Sequence, residues 1–221
     1  VELPTKLNLT RIAVFYQNDA YGKAGLEGVD RAMKKRKLEI AATGTVERNS
    51  SDVKAAVAAI GKANPQAVIQ ISAYKSCAAF IKAMKAAGVF PQYMNVSFVG
   101  AKALAQELGK DGRGVGISQV VPFPWNAGMP VVRDYQKLFL AKNGKDAYSF
   151  TSLEGFIAAK VMVEGLRRAG RDLTRERLVT AFESMGDYDV GGFSVSYSPT
   201  DHTGSRFVEL TAIGKDGVFV R

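Results

Sequence analysis

Residues 11–22 read RIAVFYQNDAYG and divide into an apolar half and a polar half. The apolar half, Arg11–Tyr16, is rich in β-branched and aromatic side chains, which is typical of a buried parallel strand. The polar half is turn-forming, and apolar residues then recur on one face of a helix predicted from about Tyr21 to Lys35. The stretch therefore predicts a strand, a turn and a helix in succession.

The same alternation continues to residue 121. Further strands are predicted at Leu38–Thr43, Ala67–Ile71, Met94–Phe98 and Val115–Val121, and helices at Val53–Ile60, Tyr74–Ala87 and Ala101–Leu108. Asn49–Asp52 carries short oxygen-bearing side chains, which predict the cap of the first of these helices. Repeated strand–helix units imply an α/β fold with a parallel sheet and helices on both faces. The sequence therefore predicts a three-layer, flavodoxin-like lobe.

The pattern changes after residue 121. Pro122–Asn126 is a rigid, extended stretch that cannot continue a central strand. Helices are predicted at Pro130–Ala141, Phe150–Ala169 and Thr174–Met185, and strands at Phe193–Tyr197, Phe207–Ile213 and Val218–Val220. Lys215–Gly217 is a turn signal, so the last two strands are predicted to form an antiparallel hairpin. The three helices need a sheet or partner helices to bury their apolar faces.

The charge of the chain is basic but dispersed. It has 30 Lys and Arg against 21 Asp and Glu, a net charge of +9. Its densest run, Lys34–Lys37, lies at the end of a predicted helix, where cations suit the unpaired carbonyl groups. No nucleic-acid-binding motif accompanies the basic residues. We therefore interpret them as solvated helix ends and predict no nucleic-acid partner.

Reactive side chains are scarce. The single cysteine, Cys77, excludes an internal disulfide, and with the single histidine, His202, it is too little for a zinc site. Cys77 falls on an apolar helix face, and His202 lies in a turn-rich loop. The common phosphate-binding, nucleophile-elbow and zinc-protease motifs are absent. The sequence favours a protein that is not an enzyme and predicts no cofactor and no metal.

Aromatic side chains stand beside polar ones where several predicted strands end. Ligands of open parallel sheets bind beyond the carboxyl ends of the strands. The rings at these ends are those of Tyr21, Tyr74, Phe98 and Phe123. They are interpreted either as ordinary core or as the flat apolar contacts of a ligand cleft.

The stretch that begins at Ile12 and runs to Gly22 resembles the opening of the second lobe of type I periplasmic binding proteins. It is most similar to the branched-chain amino-acid (Leu/Ile/Val-binding) receptors of ABC transporters. The resemblance extends over the whole chain through Asn49–Asp52, Ala73–Cys77, Asn95–Gly100, Gln119–Pro122 and Asp201–Ser205.

This resemblance implies a domain organisation. The chain would be a fragment that lacks the first lobe, with residues 1–121 and 190–221 forming the second ligand-binding lobe. Residues 122–189 would form the hinge crossing and the helical part of the first lobe. The missing first lobe, or a second copy of the chain, would cover the exposed helices.

The resemblance also implies a function. The protein would be periplasmic, its signal peptide absent from this chain, and would deliver a small-molecule ligand to the membrane permease of an ABC transporter. Ligand contacts are expected from Asp19, Tyr21, Tyr74, Ser97, Phe98 and, at the crossing, Phe123. The family usually has a carboxylate just after strand four, where this chain has none. An amino acid held by Asp19 and an aromatic or aliphatic carboxylate therefore both remain open, as do a sensor domain of a receptor or regulator and an α/β enzyme.

Overall fold

The computed structural model describes residues 1–143 and 147–221, which divide into two compact units. The first unit comprises Val1–Ser118 and Leu210–Arg221, and the second comprises Gln119–Glu209. These boundaries differ from the predicted ones, which lie after residue 121 and before residue 190. The boundary near the C-terminus differs more, at residue 209 instead of 189, because residues 190–209 contain the strand Ser194–Tyr197, which pairs within the second unit. The assignment of each unit to a lobe stays a prediction.

The strands are short, as in most parallel sheets. They are β1 (Ile12–Gln17), β2 (Ile40–Val46), β3 (Ala67–Ile71), β4 (Gln92–Asn95), β5 (Gly116–Gln119), β6 (Gly186–Asp189), β7 (Ser194–Tyr197), β8 (Glu209–Ile213) and β9 (Phe219–Val220). Among the described residues, one sheet has seven strands in the order β2-β1-β3-β4-β5-β8-β9, and β6 pairs with β7 in a second sheet. The pairings among β1 to β5 are parallel, whereas β8 and β9 form the predicted antiparallel hairpin.

The helices follow the predicted alternation. They are α1 (Glu2–Lys6), α2 (Ala20–Lys34), α3 (Lys54–Lys62), α4 (Tyr74–Ala86), α5 (Ala101–Leu108), α6 (Pro130–Asn143), α7 (Phe150–Ala169) and α8 (Arg175–Glu183). The predicted positions of α5 and α7 are confirmed to the residue, and the Thr174 hydroxyl caps α8 by accepting a hydrogen bond from the backbone N–H of Arg177. Local periodicity therefore places most of the helices correctly.

Apolar side chains cover both faces of the large sheet. On one face, Ile12 and Val14 of β1 pack with Met33 of α2 in a buried cluster. On the other face, the rings of Phe15 in β1 and Phe80 in α4 are stacked with centroids 4.3 Å apart. The predicted three-layer α/β fold is therefore confirmed.

The strand order creates a switch point between β1 and β3. The chain leaves β1 toward β2 on one side, and β3 lies on the other side of β1. In sheets of this order, the crevice beyond the carboxyl ends of the two central strands is where ligands bind. The loops that follow β1 and β3 therefore border the best-placed ligand site of the first unit.

Three local predictions were wrong in detail. Strand four was predicted to reach Phe98, but β4 ends at Asn95 and Ser97–Val99 forms a 3-10 turn. The predicted cap Asn49–Asp52 does not provide the N-cap of α3, which is Val53. The strand β6 was missed, because its sequence Gly-Asp-Tyr-Asp has the composition of a turn and is held in a strand by pairing with β7.

The second unit consists of α6 to α8 and the ribbon of β6 and β7. Buried Glu164 of α7 accepts hydrogen bonds from Arg167 and Arg168, and Arg168 also donates to the carbonyl group of Met185. An open groove of about 370 Å³ lies along α7, where Ile157, Val161 and other apolar residues line it. Within the described part of the chain, every helix is too short or too polar to cross a membrane.

Candidate functional site

The loop after β1 holds Asp19 by two hydrogen bonds. Asp19 is the N-cap of α2, and its carboxylate accepts a hydrogen bond from the backbone N–H of Gly22 at 3.1 Å. The side-chain amide of Gln17 donates to the other carboxylate oxygen. These two hydrogen bonds, the first being the stronger influence, lower the pKa of Asp19 below its ordinary value. The predicted ligand-binding carboxylate is therefore already engaged in capping a helix.

Tyr21 and Phe98 form a ring pair that joins the loop after β1 to the loop after β4. Their centroids are 4.8 Å apart and the ring planes are inclined by 44°. Tyr21 packs against the core, and its hydroxyl is buried without a described hydrogen-bond partner. Burial raises the pKa of Tyr21 to about 12, and the negative charge of Asp19 makes a smaller contribution in the same direction. Phe98, in contrast, is 72% exposed.

Tyr74 and Ser97 differ from Tyr21 because their hydroxyl groups are not among the buried ones. Tyr74 is the first residue of α4, directly after the β3 loop, and Ser97 begins the 3-10 turn after β4. Both side chains are half-buried, and neither hydroxyl has a hydrogen-bond partner among the described residues. Lys75, the next residue of α4, is exposed. Two hydroxyl groups and one cation therefore follow neighbouring strands at the same edge of the sheet.

Phe123 is the remaining predicted site residue, and it belongs to the second unit. Its ring lies 5.1 Å from that of Trp125 and 5.8 Å from that of Phe150, measured between centroids. Phe123 is thus part of an aromatic cluster at the start of α7. The structure brings Tyr21 and Phe98 into contact, and the ligand-contact role of all six residues stays a prediction.

Two polar residues behind the strand ends were missed by the sequence interpretation. Gln70 of β3 and Asn95 of β4 are paired in register, so their side chains lie on the same face of the sheet. The Gln70 amide donates to the carbonyl oxygen of Cys77 at 3.3 Å, whereas neither amide atom of Asn95 has a described partner. Gln70 could have been noticed in the sequence, because it is a polar residue inside the apolar run at 67–71 and buried strands rarely carry one.

The scarce reactive residues lie where the sequence predicted. Cys77 is fully buried in α4, and its thiol donates to the carbonyl oxygen of Ser72 at 3.4 Å. His202 is exposed, and its Nε2 atom lies 3.1 Å from the Glu183 carboxylate. Within the residues that the structure describes, no three His, Cys, Asp or Glu side chains are grouped to hold a metal ion.

Comparison with known proteins matches nearly the whole length of the chain to one family. A family model for periplasmic binding proteins matches residues 3–217. No curated protein matches the chain at a significant level.

Solved structures match the chain with the same fold. A substrate-binding periplasmic protein from Ralstonia solanacearum is 34% identical, with a TM-score of 0.89, over 99% of this chain and 63% of that one. A possible leucine/isoleucine/valine-binding protein from Rhodopirellula baltica is 29% identical, with a TM-score of 0.93, over 100% of this chain and 62% of that one.

The chain thus spans less than two thirds of the length of these relatives. The match to the family model agrees with the observed fold, which has a parallel sheet with a β2-β1-β3 switch point and a C-terminal hairpin. The chain therefore belongs to the periplasmic binding protein family and has its type I fold.

Proposed function

We propose that this chain is part of the solute-binding component of an ABC transporter and that it carries out no chemical reaction. Its ligand is a small amino acid or a related carboxylate, and its site of action is the periplasm. Membership of the periplasmic binding protein family supports this proposal. The name of the Rhodopirellula protein, which refers to leucine, isoleucine and valine, supports the size class of the ligand.

One observation carries the proposal. The free hydroxyl groups of Tyr74 and Ser97 and the exposed ring of Phe98 follow neighbouring parallel strands at one edge of the sheet. Free hydroxyl groups orient a small polar ligand, and an exposed ring supplies apolar contact. The charged side chains nearby lack the arrangement that acid–base or nucleophilic catalysis needs, since Asp19 caps a helix and Cys77 is sealed in the core.

The mechanism is capture between two hinged lobes. In this proposal, residues 1–121 and 190–221 supply the second lobe of the ligand site, and residues 122–189 supply the hinge crossing and the helical part of the first lobe. The closed state binds the ligand more tightly because only there does the ligand contact both lobes. The closed, loaded form then docks on a membrane permease, which discriminates it from the open form.

Calorimetry tests the function directly. The full-length protein that contains this chain is titrated with amino acids, aliphatic and aromatic carboxylates, and sugars as unrelated solutes. Binding of a carboxylate-bearing solute at micromolar or lower concentration, with the solute recovered unchanged by NMR, is the expected result. The variant Tyr74→Ala is expected to weaken this binding, and Phe90→Ala is the control because Phe90 precedes β4, at the opposite edge of the sheet.

Two results would contradict the proposal. The absence of heat and of thermal stabilisation across all the solutes would remove the binding function. Conversion of a solute to product would indicate an enzyme. Small-angle X-ray scattering provides an independent check, since closure of two lobes is expected to reduce the radius of gyration when the ligand is added.

A further inference from the structure

Three features of the carboxyl edge of the first sheet restrict the chemistry of the ligand. They are an exposed ring that packs against a partly buried one, a set of carboxylates that already accept hydrogen bonds, and cations that form no ion pair with a described residue. The inference drawn from them rests on the proposed solute-binding function and specifies which part of a ligand this lobe contacts.

The ring pair has one exposed member, Phe98, and one partly buried member, Tyr21. Phe98 is 72% exposed on the 3-10 turn that follows β4, and the ring of Tyr21 packs beneath it at 4.8 Å. The Tyr21 hydroxyl is buried, so it is not presented to a ligand in solution. Tyr21 is therefore suited to position the Phe98 ring, and of the two rings Phe98 is the one that is accessible to a ligand.

The carboxylates along this edge are engaged. In the loops that directly follow β1, β2, β3 and β4, carboxylates occur only after β1 and β2. Asp19 accepts from Gly22 and Gln17, Glu47 accepts from the side-chain amide of Asn18 at 2.8 Å, and Asp52 accepts from the backbone N–H of Lys54 at 3.3 Å. The loops after β3 and β4, which flank Phe98 and Tyr74, contain no carboxylate at all. A ligand ammonium group would therefore find no carboxylate in the two loops that precede Tyr74 and carry Phe98.

The cations at the same edge are free. Lys75 and Arg48 are exposed, and neither forms an ion pair with a described residue. The positive charge of Arg48 reaches Asp19, since it contributes to lowering the pKa of that carboxyl group. A cationic group of a ligand would be repelled by these side chains, whereas an organic anion would be attracted.

We propose that this lobe selects an organic acid that presents an apolar body to Phe98 and carries no ammonium group. The apolar body stacks on the Phe98 ring, which Tyr21 holds from below. The Tyr74 and Ser97 hydroxyl groups donate hydrogen bonds to oxygen atoms of the ligand. An α-amino acid of the same shape binds more weakly, because its ammonium group loses water and finds no carboxylate in the loops beside Phe98.

The test uses pairs of compounds that differ only by the amino group. The full-length protein is titrated calorimetrically with leucine against 4-methylpentanoate and with phenylalanine against 3-phenylpropanoate. In at least one pair, the affinity for the deaminated acid is expected to exceed the affinity for the amino acid by about tenfold or more. A tenfold difference corresponds to about 1.4 kcal/mol. Introducing an anion at the ring position with Phe98→Glu is expected to reverse this preference.

Variants separate contact from positioning. Phe98→Ala is expected to weaken binding of the preferred acid about tenfold, since aromatic contact and apolar burial are both lost. Tyr21→Ala is expected to cause a similar loss of affinity. Tyr21→Phe is expected to bind as tightly as the wild type, because only the ring of Tyr21 positions Phe98. Phe90→Ala is the matched control, since Phe90 is also 72% exposed but precedes β4 instead of following it.

The outcomes distinguish this inference from the function on which it rests. Equal or tighter binding of the amino acids would overturn the ligand class and leave solute binding intact. Binding of sugars alone would also overturn the ligand class and leave solute binding intact. The absence of any bound solute would overturn both proposals. Loss of affinity in Tyr21→Phe, with thermal unfolding unchanged, would show that the hydroxyl group contacts the ligand and would overturn the assigned role of Tyr21.

Discussion

Gly22 lies against the end of β1 so closely that a Cβ atom at this position would overlap the carbonyl oxygen of Gln17. The first turn of α2 therefore packs directly on the backbone of the strand that precedes it. The same turn carries the Asp19 cap and the ring of Tyr21. The local geometry of the candidate site thus depends on the absence of a side chain at residue 22.

The variant Gly22→Ala is expected to destabilise the protein. The added methyl group has to displace backbone atoms, and overpacking of this kind costs about 1–3 kcal/mol. Urea denaturation followed by circular dichroism measures the change. Gly28→Ala is the matched control in the same helix, because a Cβ there meets no atom within 4 Å. The control is expected to raise stability by about 0.5–1 kcal/mol, since alanine is the better helix former. Equal stability of the two variants would contradict the close approach.

The Glu164 cluster predicts a pH dependence of stability. Hydrogen bonds from Arg167, and then from Arg168, lower the pKa of Glu164 from 4.5 to about 2. A carboxyl group whose pKa is lower in the folded state stabilises that state at pH values above the pKa of the unfolded state. This stabilisation is lost as the pH falls through the pKa of the folded state. Glu164→Gln is therefore expected to be less stable than the wild type at pH 7, and the difference is expected to shrink between about pH 4.5 and 2.

Urea midpoints at pH 7 and pH 3 measure this effect. Glu154→Gln is the control, because Glu154 is on the same helix and exposed, without an ion pair among the described residues. A difference between Glu164→Gln and the wild type that stays constant with pH would contradict the ion-pair interpretation.

Cys77 provides a probe of global unfolding. Burial raises the pKa of its thiol, and the thiolate is the species that reacts with disulfide reagents. We expect no labelling by such a reagent at pH 8 in the native protein and complete labelling in urea, with a midpoint that coincides with the loss of circular dichroism. Because the sequence contains a single cysteine, Cys77→Ala gives the background signal. Rapid labelling of the native protein would indicate local opening of α4.

The buried amide of Asn95 predicts an unusual response to an apolar substitution. Asn95 is 2% exposed, and neither of its amide atoms has a described partner. Burying an unpaired polar group costs about 1–3 kcal/mol, so Asn95→Leu is expected to be as stable as the wild type or more stable by about 1 kcal/mol.

Gln70→Leu is the comparison for Asn95→Leu, because Gln70 donates to the Cys77 carbonyl group and this hydrogen bond is lost. Chemical denaturation of both variants measures the contrast. A loss of more than about 1 kcal/mol in Asn95→Leu would show that the amide contributes a hydrogen bond to the fold.

Much of the fold was predictable, because its signals are local. Ala67–Ile71 and Phe150–Ala169 were placed to the residue by apolar composition and helical periodicity. The end of β4 was not predicted, since Ser97–Val99 continues the extended pattern in sequence but forms a 3-10 turn that ends at Gly100, whose backbone is left-handed with φ of 78°. The strand β6 could not be predicted from its own sequence, because its extended conformation depends on pairing with β7.

The candidate site was predictable in position but not in role. Parallel topology places Asp19, Tyr74 and Phe98 at one edge of the sheet, and the order of elements along the chain indicates this topology. The engagement of the Asp19 carboxylate by Gly22 and Gln17 follows from the turn geometry of α2. Which of these side chains contacts a ligand stays a prediction, and the hydrogen bonds of Asp19 could not be read from its position in the sequence.

The amino-acid sequence by itself determined the alternation of strands and helices, the absence of a disulfide and the family of the protein. These properties follow from the chemistry of neighbouring residues and from their spacing. The tertiary structure alone decided that Tyr21 faces the core and Phe98 faces solvent. Burial of a ring depends on which other elements pack around it, and Tyr21 and Phe98 meet only when β1 and β4 join the same sheet.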